Sequence, residues 1–435
     1  MIPSAKSWVF GAALAVGLAA LSPGSVLGCT TVVVAGSATA NGRPLLWKNR
    51  DADDHQNQVV YRADGKYAYV GLVNKGDAAG IRIWAGINTE GFAIMNSASY
   101  NMEVDKDTQD EALFMKLALQ TCATVADFQN LLEKTNGGGR DVSANFGVID
   151  ARGGASYFET GIHRYKRFNA DDPLLAPRGF IVRTNYSDSA DLEKGTGFIR
   201  RERANALMED LVKSKGLSAQ SLLRVVCRDT ANARIGSYPL AIRKKGSPNF
   251  AYTADSICRY DTASCVVFEG PAPSEPPALA TAWVILGLPA SGVAVPLWAA
   301  AGDVPSDMSA SAEPAPITVA FDQVKAQLYP DARGDMKKYM DMDALSDSKT
   351  GYLTPLLALE DKVFKQVEMA VAPWRKQLPP PADMAALQGG IAREVLDEVN
   401  AILAVRRRDI PGQPKPQKTT PPAVQPGGVS VSDIK

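Results

Sequence analysis

Histidine is nearly missing: the 435-residue chain has two, His55 and His163. No HExxH, no CxxC and no glycine-lysine phosphate loop occurs, so zinc-peptidase, dithiol-redox and nucleotide-hydrolysing readings lack their motifs. Neither sign of charge is in excess. Lys plus Arg and Asp plus Glu count 47 each, giving a formal net charge of zero, so no global basic field exists to gather nucleic acid. Long apolar runs are also few. Residues 8–21 are too short to cross a bilayer comfortably, and 278–300 is broken by Pro289 and Pro296. The glycines at 137–139 lack the lysine of a phosphate cradle. Asp341-Met342-Asp343 fails as a calcium loop, because Leu345 fills a ligand position and no glycine follows. No metal or other cofactor is expected. No internal repeat is visible.

What is present begins with the first 28 residues, which read as an export signal. Lys6 gives the positive start, 8–21 the apolar stretch, Ser22-Pro23-Gly24-Ser25 the break, and Val26-Leu27-Gly28 a cleavable end. Cleavage before Cys29 leaves a thiol and a free α-amine on one carbon. An α-amine titrates at about pH 8, so at neutral pH part of it is an unprotonated base, and a thiol beside its own base is an activated nucleophile. Val26-Leu27-Gly28-Cys29 also fits a lipoprotein signal, in which lipidation of the cysteine and acylation of its amine remove both groups. The β-branched run Thr30-Thr31-Val32-Val33-Val34 starts directly at the cysteine. It leaves no flexible tether and favours the nucleophile. Five cysteines remain after export (Cys29, Cys122, Cys227, Cys258 and Cys265). The odd number leaves at least one free thiol, and Cys258 and Cys265 either pair or stay as buried thiols.

Downstream, 32–35 and 45–47 read as a hairpin about an Asn41-Gly42 turn, whose far end returns Lys48-Asn49-Arg50-Asp51 to Cys29. Further strands are expected at 58–62, 67–73, 81–87 and 92–95. A helix pair spans 109–134, with Thr124 capping the second. Strands are expected again at 145–150, 156–159, 180–184, 250–254 and 264–269, with helices at 197–213 and 218–227. Residues 278–300 read as chain laid over the core. Three helices are expected over 317–406, and the Pro-, Gln- and Lys-rich end is expected to be disordered. The domain reading is a signal at 1–28, a catalytic α+β domain at 29–310, a helical extension at 311–406 and a tail at 407–435. Strand blocks alternating with helix pairs point to two packed sheets with helices outside.

The opening Cys29-Thr30-Thr31-Val32-Val33-Val34, followed by Asn41-Gly42-Arg43-Pro44-Leu45-Leu46-Trp47-Lys48-Asn49-Arg50-Asp51, resembles the start of N-terminal-nucleophile hydrolases. The acyl-CoA:isopenicillin N acyltransferase-like C45 peptidases resemble it most, and choloylglycine hydrolases and penicillin V acylases more distantly. Gly86-Ile87-Asn88-Thr89-Glu90-Gly91-Phe92-Ala93 and Asn145-Phe146-Gly147-Val148-Ile149-Asp150 continue the likeness. The resemblance implies a four-layer αββα sandwich and amide hydrolysis or acyl transfer through a cysteine thioester. It assigns Cys29 as nucleophile, Asp51 to the α-ammonium, and Asn96 and Asn185 to the oxyanion. Lys48 stands where choloylglycine relatives carry arginine, and either it or Arg50 is the cation favouring thiolate. Arg200 is expected to hold Asp51 or the amine, and Trp84, Tyr100 and Tyr186 to line the acyl pocket or belong to core and rim.

The resulting expectation is an exported cysteine amidohydrolase acting on a small amide or short peptide, periplasmic or secreted. It needs no nucleic acid and no stable membrane insertion unless Cys29 is lipidated. The alternative is a lipid-anchored, non-catalytic protein on the same fold. A Cys29/His55 thiol protease would need a third orienting group and leaves the terminal placement of Cys29 unexplained.

Overall fold

A computed structural model describes residues 28–102, 110–232, 249–310 and 312–407. The expected signal before Gly28 and the expected disordered tail after Arg407 lie outside the described residues. The chain opens with β1 (Thr30–Val34) and β2 (Leu45–Asp51), the anticipated hairpin. Next come β3 (Asn57–Arg62), β4 (Tyr69–Asn74), β5 (Ala85–Asn88) and β6 (Ala93–Ala98). The helix pair is α1 (Glu111–Thr121) and α2 (Val125–Asn136). Thr124 and Asp127 close α2 with a reciprocal capping box. Four strands follow: β7 (Ala144–Ile149), β8 (Ala155–Thr160), β9 (Tyr165–Asn169) and β10 (Phe180–Arg183). Then come α3 (Phe198–Lys213) and the single turn α4 (Ala219–Ser221), which widens into a π-helical stretch over Leu222–Cys227. After β11 (Phe250–Tyr252) and β12 (Thr262–Glu269) come β13 (Thr281–Ile285) and β14 (Val295–Leu297). The remainder is α5 (Pro316–Leu328), β15 (Tyr339–Asp341), α6 (Met342–Ser346), α7 (Leu353–Trp374) and α8 (Pro381–Arg406).

Two antiparallel sheets stack face to face. One has the order β10-β1-β2-β12-β13-β14, the other β3 through β9 in sequence. β1 and β2 face β6, β7 and β8 across the gap. α1 and α2 cover the outer face of the second sheet, where Phe128 meets Phe146 and Phe158 edge-on at 5.7 and 5.2 Å. α3 and the π-helical turn cover the outer face of the first. The order is therefore αββα, with the helices α5 to α8 added beyond. β1 is buried along its whole length, which explains why Val32 to Val34 run on without alternation, while Thr30 and Thr31 have their hydroxyls hydrogen-bonded.

Several elements differ from their sequence reading. The stretch 278–300 is not draped chain: β13 and β14 extend the first sheet, and Pro296 is tolerated because β14 is its edge. β5 starts at Ala85 rather than at 81, because the Asp77 carboxylate accepts from the Ile81 and Arg82 amides and holds that segment as a loop. β9 was not anticipated. It is a half-exposed edge strand carrying Lys166 and Arg167, without an alternating apolar signal. In the C-terminal region four helices replace three, and β15 pairs with β11. Asp341, considered above as a calcium ligand, caps α6 instead by accepting from the amides of Asp343 and Ala344. Cys122, Cys227, Cys258 and Cys265 are all free and buried, so Cys258 and Cys265 do not pair.

Candidate functional site

Pleating decides which way each side chain near Cys29 points. Thr31 faces the gap between the sheets, where Tyr157 Oη donates to its Oγ1 at 2.8 Å. Cys29 lies two residues earlier, just ahead of the strand, within electrostatic reach of Lys48 and Arg50. Lys48 is registered opposite Thr31, and Lys48 and Arg50 share that face. Lys48 Nζ donates to Asn96 Oδ1 at 2.6 Å and to Trp84 O at 2.8 Å. The Arg50 guanidinium lies 4.5 Å over the Trp84 ring and donates to Asn57 Oδ1 at 3.0 Å.

Asp51 has the opposite orientation and faces the outer layer. Thr262 Oγ1 donates to its Oδ1 at 2.7 Å, and Arg259 donates from Nε to its Oδ2 at 2.9 Å, with Nη2 in ion-pair contact at 2.8 Å. A bulge in β12 makes this possible. Thr262 pairs with Asp51 and Ser264 with Arg50, so the extra residue puts Thr262 and Ser264 on opposite faces. Ser264 Oγ then donates to Asn57 Oδ1 at 2.7 Å, the atom that holds Arg50.

Two arginines grip the backbone at the junction of Gly28 and Cys29. Arg259 Nη2 donates to Gly28 O at 3.0 Å. Arg200 Nη1 donates to Cys29 O at 2.6 Å and to Thr30 Oγ1 at 2.8 Å, and its Nη2 donates to Asn185 Oδ1 at 2.9 Å. Asn185 Nδ2 donates to Ala98 O at 3.1 Å. The packing leaves no room for a side chain at position 28. A Cβ there would lie 2.3 Å from Asn185 Oδ1 and 2.5 Å from Arg200 Nη2. Gly197 has φ of 87° and starts α3 so that Arg200 reaches inward; a Cβ on it would stand 2.6 Å from Arg200 Nη2.

The six residues singled out from sequence therefore gather around one strand end, with one correction. Arg200 bonds neither Asp51 nor the Cys29 nitrogen; Arg259 takes the carboxylate, and Arg200 takes the Cys29 carbonyl and Asn185. Arg259 and Thr262 were missed, because a lone arginine and threonine ahead of a strand carry no local signal. Only the pairing of β12 with β2 brings them to Asp51. The aromatic candidates divide. Trp84 floors Arg50, and Tyr100 is 40% exposed at the rim. Tyr186 is core, buried against Phe198 at 4.3 Å between ring centres. His55 is turned away from Cys29 and shares its Nδ1 with Lys325 Nζ, so a Cys29/His55 pair does not form.

Burial sets the electrostatics. It drags the Lys48 ammonium down to about 8, against the pull of Cys29. Arg50 and Arg200 are lowered to about 10 by the same desolvation. Arg259 is also desolvated, but Asp51 and Asp261 outweigh this and hold its pKa above the ordinary value. Glu111 opens α1 and is buried, which raises its carboxyl to about 6 although Lys48 opposes the shift. The Glu111 Oε1 and Trp84 Nε1 atoms are buried without a hydrogen-bond partner among the described residues. No helix of the described residues is long and apolar enough to cross a membrane.

Residues 37–210 match the family described as Acyl-coenzyme A:6-aminopenicillanic acid acyl-transferase. The match spans Lys48, Asp51, Asn96, Asn185 and Arg200, but neither Cys29 nor Arg259. A search of curated proteins found no match. Solved structures that align include a Caenorhabditis elegans N-acylethanolamine-hydrolyzing acid amidase ortholog. It is 16% identical, over 56% of this chain and 93% of that one, with a TM-score of 0.38. A conjugated bile acid hydrolase mutant from Clostridium perfringens aligns at 10% identity over 62% and 92%, with a TM-score of 0.38. Penicillin V acylase from Agrobacterium tumefaciens aligns at 14% over 62% and 85%, with a TM-score of 0.35.

Proposed function

We propose that this chain, whose residues 37–210 match the Acyl-coenzyme A:6-aminopenicillanic acid acyl-transferase family, is an exported enzyme. It cleaves a linear carbon–nitrogen amide bond by acyl transfer through Cys29. Removal of the leader frees the Cys29 α-amine. That amine takes the thiol proton, and the thiolate attacks the substrate carbonyl. The amine then passes the proton to the leaving nitrogen as the thioester forms, and water or an acceptor amine resolves it. Lys48 supplies positive charge for the thiolate. Asp51, held by Arg259 and Thr262, orients the ammonium. Asn96 has its oxygen taken by Lys48, so its Nδ2 is the group left to donate to the oxyanion. Asn185 is fixed at its oxygen by Arg200 and keeps one Nδ2 hydrogen for the same use.

The observation that carries this reading is the double grip on the junction: Arg259 on Gly28 O and Arg200 on Cys29 O, beside a carboxylate with both oxygens occupied. A cysteine meant only for a lipid anchor would not need its flanking carbonyls held by two buried guanidiniums. The strand also begins at Thr30, leaving no tether.

The test joins intact-mass analysis to turnover. The exported protein is expected to begin with an unmodified Cys29, to gain one acyl mass from a slow amide or activated ester, and to lose turnover at least a thousandfold as Cys29→Ala. A diacylglyceryl mass on Cys29, or full activity in Cys29→Ala, would refute the proposal.

A further inference from the structure

A cavity of about 490 Å³ opens where the β2–β3 connection meets α5. Asp53, Asp54 and His55 of the β2–β3 connection line it together with Tyr260 and with Asp322 and Lys325 of α5 and the Tyr329 that follows it. It borders the site described above without belonging to it. Asp53 is two residues past Asp51, so their Cα atoms are at most roughly 7 Å apart, and Tyr260 directly follows Arg259. Arg50 is within electrostatic reach of both Cys29 and Asp54.

The cavity offers both kinds of charge. Lys325 is 6% exposed, and its ammonium has three hydrogens. One goes to His55 Nδ1, and the charge lies 4.3 Å over the Tyr260 ring. No carboxylate of the described residues lies within ion-pair distance of it, so two of its donors remain for an incoming acceptor. Because His55 accepts at Nδ1, its Nε2 carries the hydrogen and is a second donor. Burial and the charge of Lys325 push the imidazole down to about 3, so it stays neutral. Asp53, Asp54 and Asp322 supply negative charge to the same lining. A simple anion would meet three carboxylates there, and a simple cation would meet Lys325. A molecule with one carboxylate and one ammonium satisfies both.

We propose that this cavity binds the α-amino-carboxylate head of an amino acid, the carboxylate on Lys325 Nζ and His55 Nε2 and the ammonium on Asp54 and Asp53. Lys325 and Asp322 belong to α5, so the helical extension builds the site. The head has two sources: the end of the amide substrate, which rests on the function proposed above, or a free amino acid bound beside the catalytic centre.

The chain has only two histidines, and His163 sits elsewhere, with Nδ1 on Asn136 O. The ring-¹⁵N spectrum of the histidine-labelled Cys29→Ala protein therefore reads the cavity directly. L-alanine is expected to move the His55 Nε2 signal saturably and to leave His163 unmoved. Acetate and methylamine at the same concentration should move neither. Lys325→Met and Asp54→Asn, checked for folding by circular dichroism, are each expected to weaken the L-alanine response at least tenfold. Equal responses to all three probes, or undiminished L-alanine binding in both folded variants, would overturn the proposal. These readouts need no turnover, so failure of the catalytic reading leaves them intact. In the active protein, a rise in KM confined to amides ending in a free amino acid assigns the head to the substrate. An unchanged KM alongside weakened L-alanine binding assigns it to a separate ligand.

Discussion

Lys48 is asked to stay charged where burial opposes charge. In the proposed reaction its ammonium lowers the cost of a thiolate at Cys29, yet desolvation brings its pKa to about 8. The α-amine that the proposed reaction uses as base must be unprotonated, and an ordinary α-amino group has a pKa of about 8 as well. The activity profile is therefore expected to be a narrow bell centred near pH 8, its alkaline side set by Lys48. Lys48→Arg should carry that side upward by more than one pH unit in kcat/KM, because a guanidinium keeps its proton. Lys48→Met should remove the alkaline side and lower kcat about a hundredfold. Folding reads the same lysine with a definite sign. Between about 8 and 10.5 the unfolded chain keeps a proton that the folded chain has lost, so unfolding free energy rises with pH across that window. Urea titrations at pH 7.5 and 9.5 should show this gain in the wild type and a smaller one in Lys48→Met.

At the level of elements, the extension is fastened to the sandwich by one buried pair. Arg228 follows the π-helical turn, and its Nη2 meets Glu360 of α7 at 2.6 Å, with side chains 3% and 2% exposed. Glu360 Oε2 also accepts from the Ala294 amide at 3.0 Å, tying in the loop before β14. Removing one partner leaves an uncompensated buried charge, so Glu360→Ala is expected to lower unfolding free energy by about 3–5 kcal/mol. Arg228→Met with Glu360→Leu should recover only part of that loss in the same denaturant titration, because Arg228 also donates to the Leu223, Pro289 and Gly292 carbonyls, which are then left without a donor. Recovery would show that the cost lies in the unpaired guanidinium rather than in the attraction. Stacking of Trp283 on Phe364 at 3.9 Å and the edge contact of Trp298 with Trp374 at 5.5 Å complete the seam.

Across the whole molecule, the helices after residue 316 share a core with the sheets. Ile317, Phe321, Val363, Ile391 and Val399 are buried in one apolar cluster with Val284, Ile285 and Leu297. A chain ended at residue 310 would expose that face of the first sheet, a contiguous apolar surface that promotes aggregation. It is expected to be insoluble or to unfold without a cooperative transition, measured by soluble yield and circular dichroism. A soluble, active truncated protein would contradict this.

The residues themselves determined the hairpin, the capped helix pair and the cluster of Cys29, Lys48 and Asp51. Each depends on neighbours close along the chain: β-branched runs, an Asn-Gly turn, a Thr124–Asp127 box. Asn96 and Asn185 were legible as residues, but Asn96 lies inside β6, paired with Phe146, rather than after the strand as its pattern suggested, and Asn185 lies just past β10. What the tertiary structure alone decided was the set of partners. Arg259 reaches Asp51 through the pairing of β12 with β2 and a bulge that no local pattern announces. Arg200 was legible as a residue but not in its role, because its bonds span 171 residues to Cys29 and 15 to Asn185. Likewise β13 and β14 read as loose chain, since Pro296 is forbidden in a central strand and permitted only at an edge. Edge or centre is a property of the assembled sheet.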